Sequence, residues 1–263
     1  MPDAKKENGP QKKRALLNYR ENGQIAVITI DNFKPVVLTK GLQQINTLDA
    51  GLFLEIDAGL DEIDRNKETK LVVFTGINPP NFYPVFCDGV DLTFLAKLRF
   101  LDFGEDMKSE VKNHRTGIRV LNRMSKMSQY FVALINGHCI GGGLELALGC
   151  DCLIALPQML IGFPECKYGL LPGWDGLQNL AYKIGRAEAL AFYFEGFFES
   201  SGKHIFRNGI VNTEKALAIG MIDEIASSLK EADRRINEIL NELVNGKLHR
   251  KPKPELPAYK MMP

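Results

Sequence analysis

Asn136-Gly137-His138-Cys139-Ile140-Gly141-Gly142-Gly143-Leu144-Glu145-Leu146 decides the fold, together with Ile161-Gly162-Phe163-Pro164-Glu165 and Leu171-Pro172-Gly173-Trp174-Asp175-Gly176 downstream. The first stretch follows Tyr130 to Ile135, an apolar run with the length of a buried strand. Its three glycines lead into Leu144-Glu145-Leu146-Ala147-Leu148, which has helix-forming composition. A strand closed by a glycine turn that opens a helix leaves backbone N–H groups facing outward, at the positive end of the helix dipole. Such a place suits a phosphate or a developing oxyanion. Tight strand–helix packing also demands glycine, so the triplet alone leaves both readings open. The carboxylates weigh against packing alone. Glu145 falls in the first helical turn, and Glu165 follows Phe163-Pro164 in an otherwise apolar segment. Neither belongs to a solvated charge run, and burying a free carboxylate is costly.

The motifs Asn136-Gly137-x-x-x-Gly141-Gly142-Gly143-x-Glu145-Leu146, Cys150-Asp151, Phe163-Pro164-Glu165 and Gly169-x-x-Pro172-Gly173 occur in that order. In order and spacing this set resembles the crotonase (enoyl-CoA hydratase/isomerase) superfamily, roughly over residues 15–227. Phe86-Cys87-Asp88-Gly89-Val90-Asp91-Leu92 resembles the family's earlier oxyanion segment, with Gly89 suited to a positive φ. The resemblance implies that the backbone N–H groups of Val90 and Gly142 form an oxyanion hole for a thioester carbonyl. It implies that Glu145 activates water and Glu165 supplies a proton. Asp88, Gly89, Val90, Asp91, Leu92, Gly141, Gly142, Gly173 and Trp174 are the substrate-binding candidates. Asp88 stands where the family usually has a small residue, toward the expected adenine end of coenzyme A. Trp174-Asp175 likewise replaces two small residues, at the expected mouth of the pocket. Either a reshaped acyl pocket or plain packing accounts for that change. The extra aspartate of relatives that isomerise dienes or displace halide falls on Gly173 here, which disfavours both reactions.

Outward from these motifs the chain has ordinary globular chemistry. It has 263 residues, 45% hydrophobic and 25% charged, enough for a sizeable core. With 33 basic and 32 acidic residues the net charge is +1, which argues for neither nucleic acid nor an anionic membrane as partner. Lys112 to Lys126 is basic but lacks interleaved aromatics, the pattern of a solvated helix face. His114 and His138 have no acid or thiol at ligand spacing, so no metal is expected. Cys87, Cys139, Cys150, Cys152 and Cys166 read as buried thiols in a reducing compartment. Residues 1–14 are polar and lysine-rich without an apolar leader core, a disordered arm rather than a secretory signal. No window approaches a membrane span. A cytoplasmic protein is expected.

Local patterns fill in the rest. Ala15–Tyr19 and Gln24–Ile30 flank Glu21-Asn22-Gly23 and predict a hairpin. Asn46 to Ile63 predicts a helix with Asp49 as cap, and Lys70 to Thr75 a buried strand ending at Gly76. Leu92–Met127 reads as helical in two or more segments; Gln178–Leu190, Asn212–Gly220 and Leu229–Val244 also read as helices, with a strand over Met221–Ile225. Glu195–Asn208 looks like an insertion, and Lys251–Pro257 like an extended, proline-rich tail. By itself this supports mixed α/β. The resemblance implies a crotonase-like spiral of ββα turns over 15–210, with perpendicular sheets, then a shortened C-terminal helical region and tail over 211–263. It further implies a homotrimer or hexamer, no cofactor beyond the coenzyme A carried by the substrate, and a lyase hydrating a 2-enoyl-CoA. Isomerisation, hydrolysis of a C–C bond in a cyclic β-oxo acyl-CoA, and a non-catalytic scaffold are the alternatives. Having both glutamates favours the hydratase.

Overall fold

The computed structural model describes residues 12–38, 41–77, 84–90, 105–168, 170–195 and 209–250. The arm up to residue 11, Asp91 and Leu92, the segment 196–208 and the tail from 251 lie outside these residues, as does the His114 side chain. The chain opens as the hairpin expected from its turn: β1 (Ala15–Arg20) pairs antiparallel with β2 (Ile25–Ile30). Asn22 takes a left-handed φ of 54° between them, a conformation that asparagine tolerates. A second hairpin, β3 (Phe33–Leu38) and β4 (Gly41–Asn46), follows. The helix expected from Asn46 therefore begins later, as α1 (Ala50–Arg65), because residues up to 46 are spent in β4. Its cap is the expected one: the Asp49 side chain accepts from Leu52 N at 2.8 Å.

From β5 (Leu71–Gly76) the chain coils in a repeating manner. β5, β7 (Tyr130–Ile135) and β9 (Cys152–Ala155) each enter one large sheet. The strand after each, β6 (Val85–Cys87), β8 (His138–Ile140) and β10 (Leu160–Gly162), enters a smaller one. The large sheet runs β1-β2-β5-β7-β9-β12, with β12 (Glu224–Ile225) at its edge; the smaller runs β11-β10-β8-β6, with β11 (Ile210–Asn212) at its edge. Helices close the turns: α2 (Glu105–Lys126) after β6, α3 (Gly142–Leu148) after β8, and α4 (Gly176–Ile184) with α5 (Arg186–Glu195) after β10. This is the ββα spiral that the sequence motifs implied. Then come α6 (Thr213–Ala218) and α7 (Leu229–Val244).

The large sheet is buried on both faces, as β2 onward run parallel. Alternation sorts the side chains: Val72, Phe74, Phe131, Ala133 and Ile135 join the core shared with α1 to α3. Leu71, Val73, Val132 and Leu134 face the other way, against Ala232, Ile236, Ile239 and Leu240 of α7. All five cysteines are buried and free.

Two buried asparagines tie strand ends together. Asn136 Oδ1 accepts from Gly76 N at 3.0 Å while its Nδ2 donates to Gly76 O at 2.6 Å, locking the end of β7 to that of β5. Asn46, fully enclosed, accepts from Asn32 N at 2.9 Å and donates to Ile30 O and Phe86 O at 3.0 and 3.2 Å. Asn46→Ala strands these three backbone groups, and each buried group left unpaired costs about 1–3 kcal/mol. The variant is expected to lose about 3 kcal/mol or more, seen as a lower urea midpoint with unchanged m-value. A loss below about 1 kcal/mol would show that these bonds are replaced by others.

Candidate active site

Three adjacent parallel strands bring the motifs together. β10 pairs with β8 (Ile161 opposite Cys139, Gly162 opposite Ile140), and β8 pairs with β6 (Cys139 opposite Cys87). The turns leaving their carboxyl ends therefore lie side by side: Asp88–Val90, Gly141–Gly143 and Phe163–Glu165. Residues far apart in sequence converge at the end of a parallel sheet, where α/β folds commonly place ligands.

The turns touch through backbone. Gly89 has φ +85°, and a β-carbon there would lie 2.9 Å from Ile140 O and 3.0 Å from Gly142 N. Only glycine fits both the dihedral and the approach, so the peptide leading to Val90 lies against the one carrying Gly142 N–H. Val90 is half-buried and forms an isolated bridge to Leu48, whose N donates to Gly89 O at 2.8 Å. Gly141 has φ +56°, and a β-carbon there would meet Glu165 Oε1 at 2.7 Å. Its N donates to Gly162 O at 2.8 Å, which fixes the turn.

The two glutamates sit on either side of this turn. Glu145 is only 3% exposed, and its Oε1 accepts from Trp174 N at 2.6 Å and Gly176 N at 3.0 Å. Burial, and secondarily the charge of Glu165, pushes its carboxyl up to about 8. Glu165 stands in the 3₁₀ turn Pro164–Tyr168. Its Oε2 is enclosed without a hydrogen-bond partner among the described residues, and burial raises its carboxyl to about 7. Near neutrality the pair holds one proton between them. Such a pair can take a proton at one oxygen and give one at another.

Other candidates land differently. Asp88 Oδ2 accepts from Asn46 N at 2.9 Å while Asp88 N donates to Asn46 O at 2.8 Å, so its carboxylate fastens the turn to β4. Burial raises it to about 6. Trp174 is not at a mouth: it is 3% exposed, packed inside against Phe53 and Gly142. Gly173 is exposed; Asp91 and Leu92 lie outside the described residues. His138 Nδ1 accepts from Leu160 N at 3.0 Å, a structural role. Arg119 and Arg123 of the basic stretch pair with Asp57 and Asp61 of α1. Among the described residues there is no cluster of three or more His, Cys, Asp or Glu able to hold a metal, and no helix long and apolar enough to cross a membrane. The backbone donors at Trp174 and Gly176 and the tie made by Asn46 escaped sequence reading, since main-chain partners leave no residue signature.

A spiral α/β fold with buried acids at the ends of short parallel strands defines an enzyme-like class, and the comparisons narrow it. The family model for enoyl-CoA hydratase/isomerase matches residues 20–251, so the chain belongs to that family, within the crotonase superfamily. An enoyl-CoA hydratase from Thermoplasma volcanium superposes with TM-score 0.68 at 22% identity, over 88% of this chain and 78% of that one. One from Bacillus halodurans gives 0.69 at 20% identity, over 88% and 80%. Pseudomonas aeruginosa DspI gives 0.65 at 24% identity, over 94% and 85%. At these identities the likeness is one of fold.

Raised carboxyls also mark stability. Between an ordinary glutamate range near 4.5 and about 7, native Glu165 keeps a proton that the unfolded chain releases, so stability falls as pH rises through that window. Glu165→Gln removes this loss. Its Tm is expected to match the parent near pH 4.5 and exceed it by a few degrees at pH 8, by about 2–4 °C per kcal/mol. Equal Tm at both pH values would mean that Glu165 is not held in its raised state.

Proposed function

We propose that the chain stabilises the enolate of an acyl-CoA thioester and adds water to a 2-enoyl-CoA, giving a 3-hydroxyacyl-CoA. One observation carries this reading: a buried Glu145 and a half-buried Glu165, both raised toward neutrality, flank a turn whose Gly142 N–H adjoins the peptide of Val90. The thioester oxygen accepts from Val90 N–H and Gly142 N–H, so charge that develops there meets fixed donors. In other enzymes one such donor is worth roughly 2.7–4 kcal/mol.

Burial raises Glu145 further than Glu165, so the resting proton sits on Glu145. It passes to Glu165 before water attacks, leaving Glu145 as the carboxylate, which Trp174 N and Gly176 N stabilise by donating to its Oε1. Glu145 then takes a proton from water as the oxygen attacks Cβ. Glu165 is the acid; its partnerless Oε2 suits a protonated oxygen, and it delivers that proton to Cα. OH and H are thereby added across the double bond. The proton taken from water leaves Glu145 protonated again, as at rest.

kcat/KM is expected to peak between about 7 and 8. Below this range both acids are protonated and the base is lost; above it both are ionised and the acid is lost. A profile flat from pH 6 to 9 would contradict a working pair. Glu165→Gln is expected to stay folded and lose at least about a hundredfold in crotonyl-CoA hydration; wild-type turnover in that variant would refute its role. A cyclic β-oxo acyl-CoA assayed in parallel separates hydration from C–C hydrolysis. Failure to bind any acyl-CoA would leave a non-catalytic scaffold.

A further inference from the structure

Trp174, the one tryptophan in the chain, is lodged between three helices. Its ring meets Phe53 of α1 edge-on, with centroids 4.8 Å apart and planes at 84°. On α2 it lies so close to Gly117 that a β-carbon there would come within 2.6 Å of Cε2 and Nε1. On α3 its Cζ3 edge overlaps the place a β-carbon of Gly142 would take. The indole thus fills a slot walled by two glycines, and among the described residues its N–H has no hydrogen-bond partner. A tryptophan serving only as core filler would find that N–H a partner, since an unmet buried donor is destabilising.

The same residue touches the reacting groups at both ends. Its backbone N–H donates to Glu145 Oε1 at 2.6 Å, while its side chain rests on Gly142. On the hydratase reading, on which this inference rests, Gly142 N–H holds the thioester oxygen and Glu145 works at Cβ. The indole therefore borders the places that the thioester oxygen and Cβ would take, within reach of acyl carbons beyond Cβ. We propose that Trp174 is a specificity-determining residue, whose ring occupies the space a long acyl chain needs and restricts turnover to short acyl groups. Shrinking it opens a space bordered by Gly117, Gly142 and Phe53, with no other side chain from the two glycines to refill it.

The test compares kcat/KM for crotonyl-CoA and 2-decenoyl-CoA in the wild type, Trp174→Ala and Trp174→Leu. The wild type is expected to strongly prefer crotonyl-CoA. Each methylene that gains room contributes about fourfold, so the long-to-short ratio should rise at least tenfold in Trp174→Ala and by less in Trp174→Leu. Should the alanine variant not fold, the leucine variant decides alone. The unmodified protein provides a second readout, because all indole emission comes from Trp174: butyryl-CoA should change it and free coenzyme A should not. A wild type that takes both substrates equally, or a folded variant with an unchanged ratio, overturns the size limit while leaving the hydratase reading intact. A wild type that turns over neither substrate, and binds neither by calorimetry, overturns that reading and the size limit with it.

Discussion

The parallel pairing of β6, β8 and β10 is the constraint from which the candidate site follows. Three strands of three residues each carry little stability alone. Their alignment matters because it fixes where three turns emerge. Gly89, at positive φ, lets its turn close to backbone contact with the Gly141–Gly142 turn, and Gly141, also at positive φ, leaves room for the Glu165 carboxyl. A side chain at either place would push the Val90 peptide away from Gly142, or Glu165 away from Gly141. The larger sheet, buried on both faces, supplies the rigidity that the small one lacks.

Onto that frame the fold places two carboxyl groups at an energetic disadvantage. Burial raises both Glu145 and Glu165, and the charge of Glu165 makes Glu145 harder still to ionise. A chain selected for stability alone would replace them with apolar or amide groups of similar size. Their presence in an enclosed turn is what a site for acid–base chemistry requires. The compensation is local: Trp174 N and Gly176 N meet one acid, while Asn46 and Asp88 hold the turn that bears Val90.

Much of this was legible in the sequence. The hairpin around Asn22, the cap at Asp49, the strand Tyr130–Ile135 and the helix Leu229–Val244 are local features, and each appears where local chemistry puts it. The motif glycines and glutamates were visible because few residue types fit their positions. β8 and β10 were missed, since strands of three residues are too short to show a period and exist only through their neighbours. The hairpin over residues 33–46 was hidden for a related reason: its pairing depends on a partner strand that no composition rule reveals. Trp174 was expected at an opening but is enclosed, because two glycines on separate helices, Gly117 and Gly142, leave room for its ring. Depth of that kind depends on tertiary contact and has no local signature.

The central claim is that the amides of Val90 and Gly142 polarise one thioester carbonyl. Difference infrared spectra of a carbon-13 carbonyl-labelled butyryl-CoA, bound and free, test it directly. Two N–H donors in an enclosed site should move the carbonyl stretch to clearly lower frequency than in water. A bound thioester whose stretch stays at its aqueous frequency would contradict it.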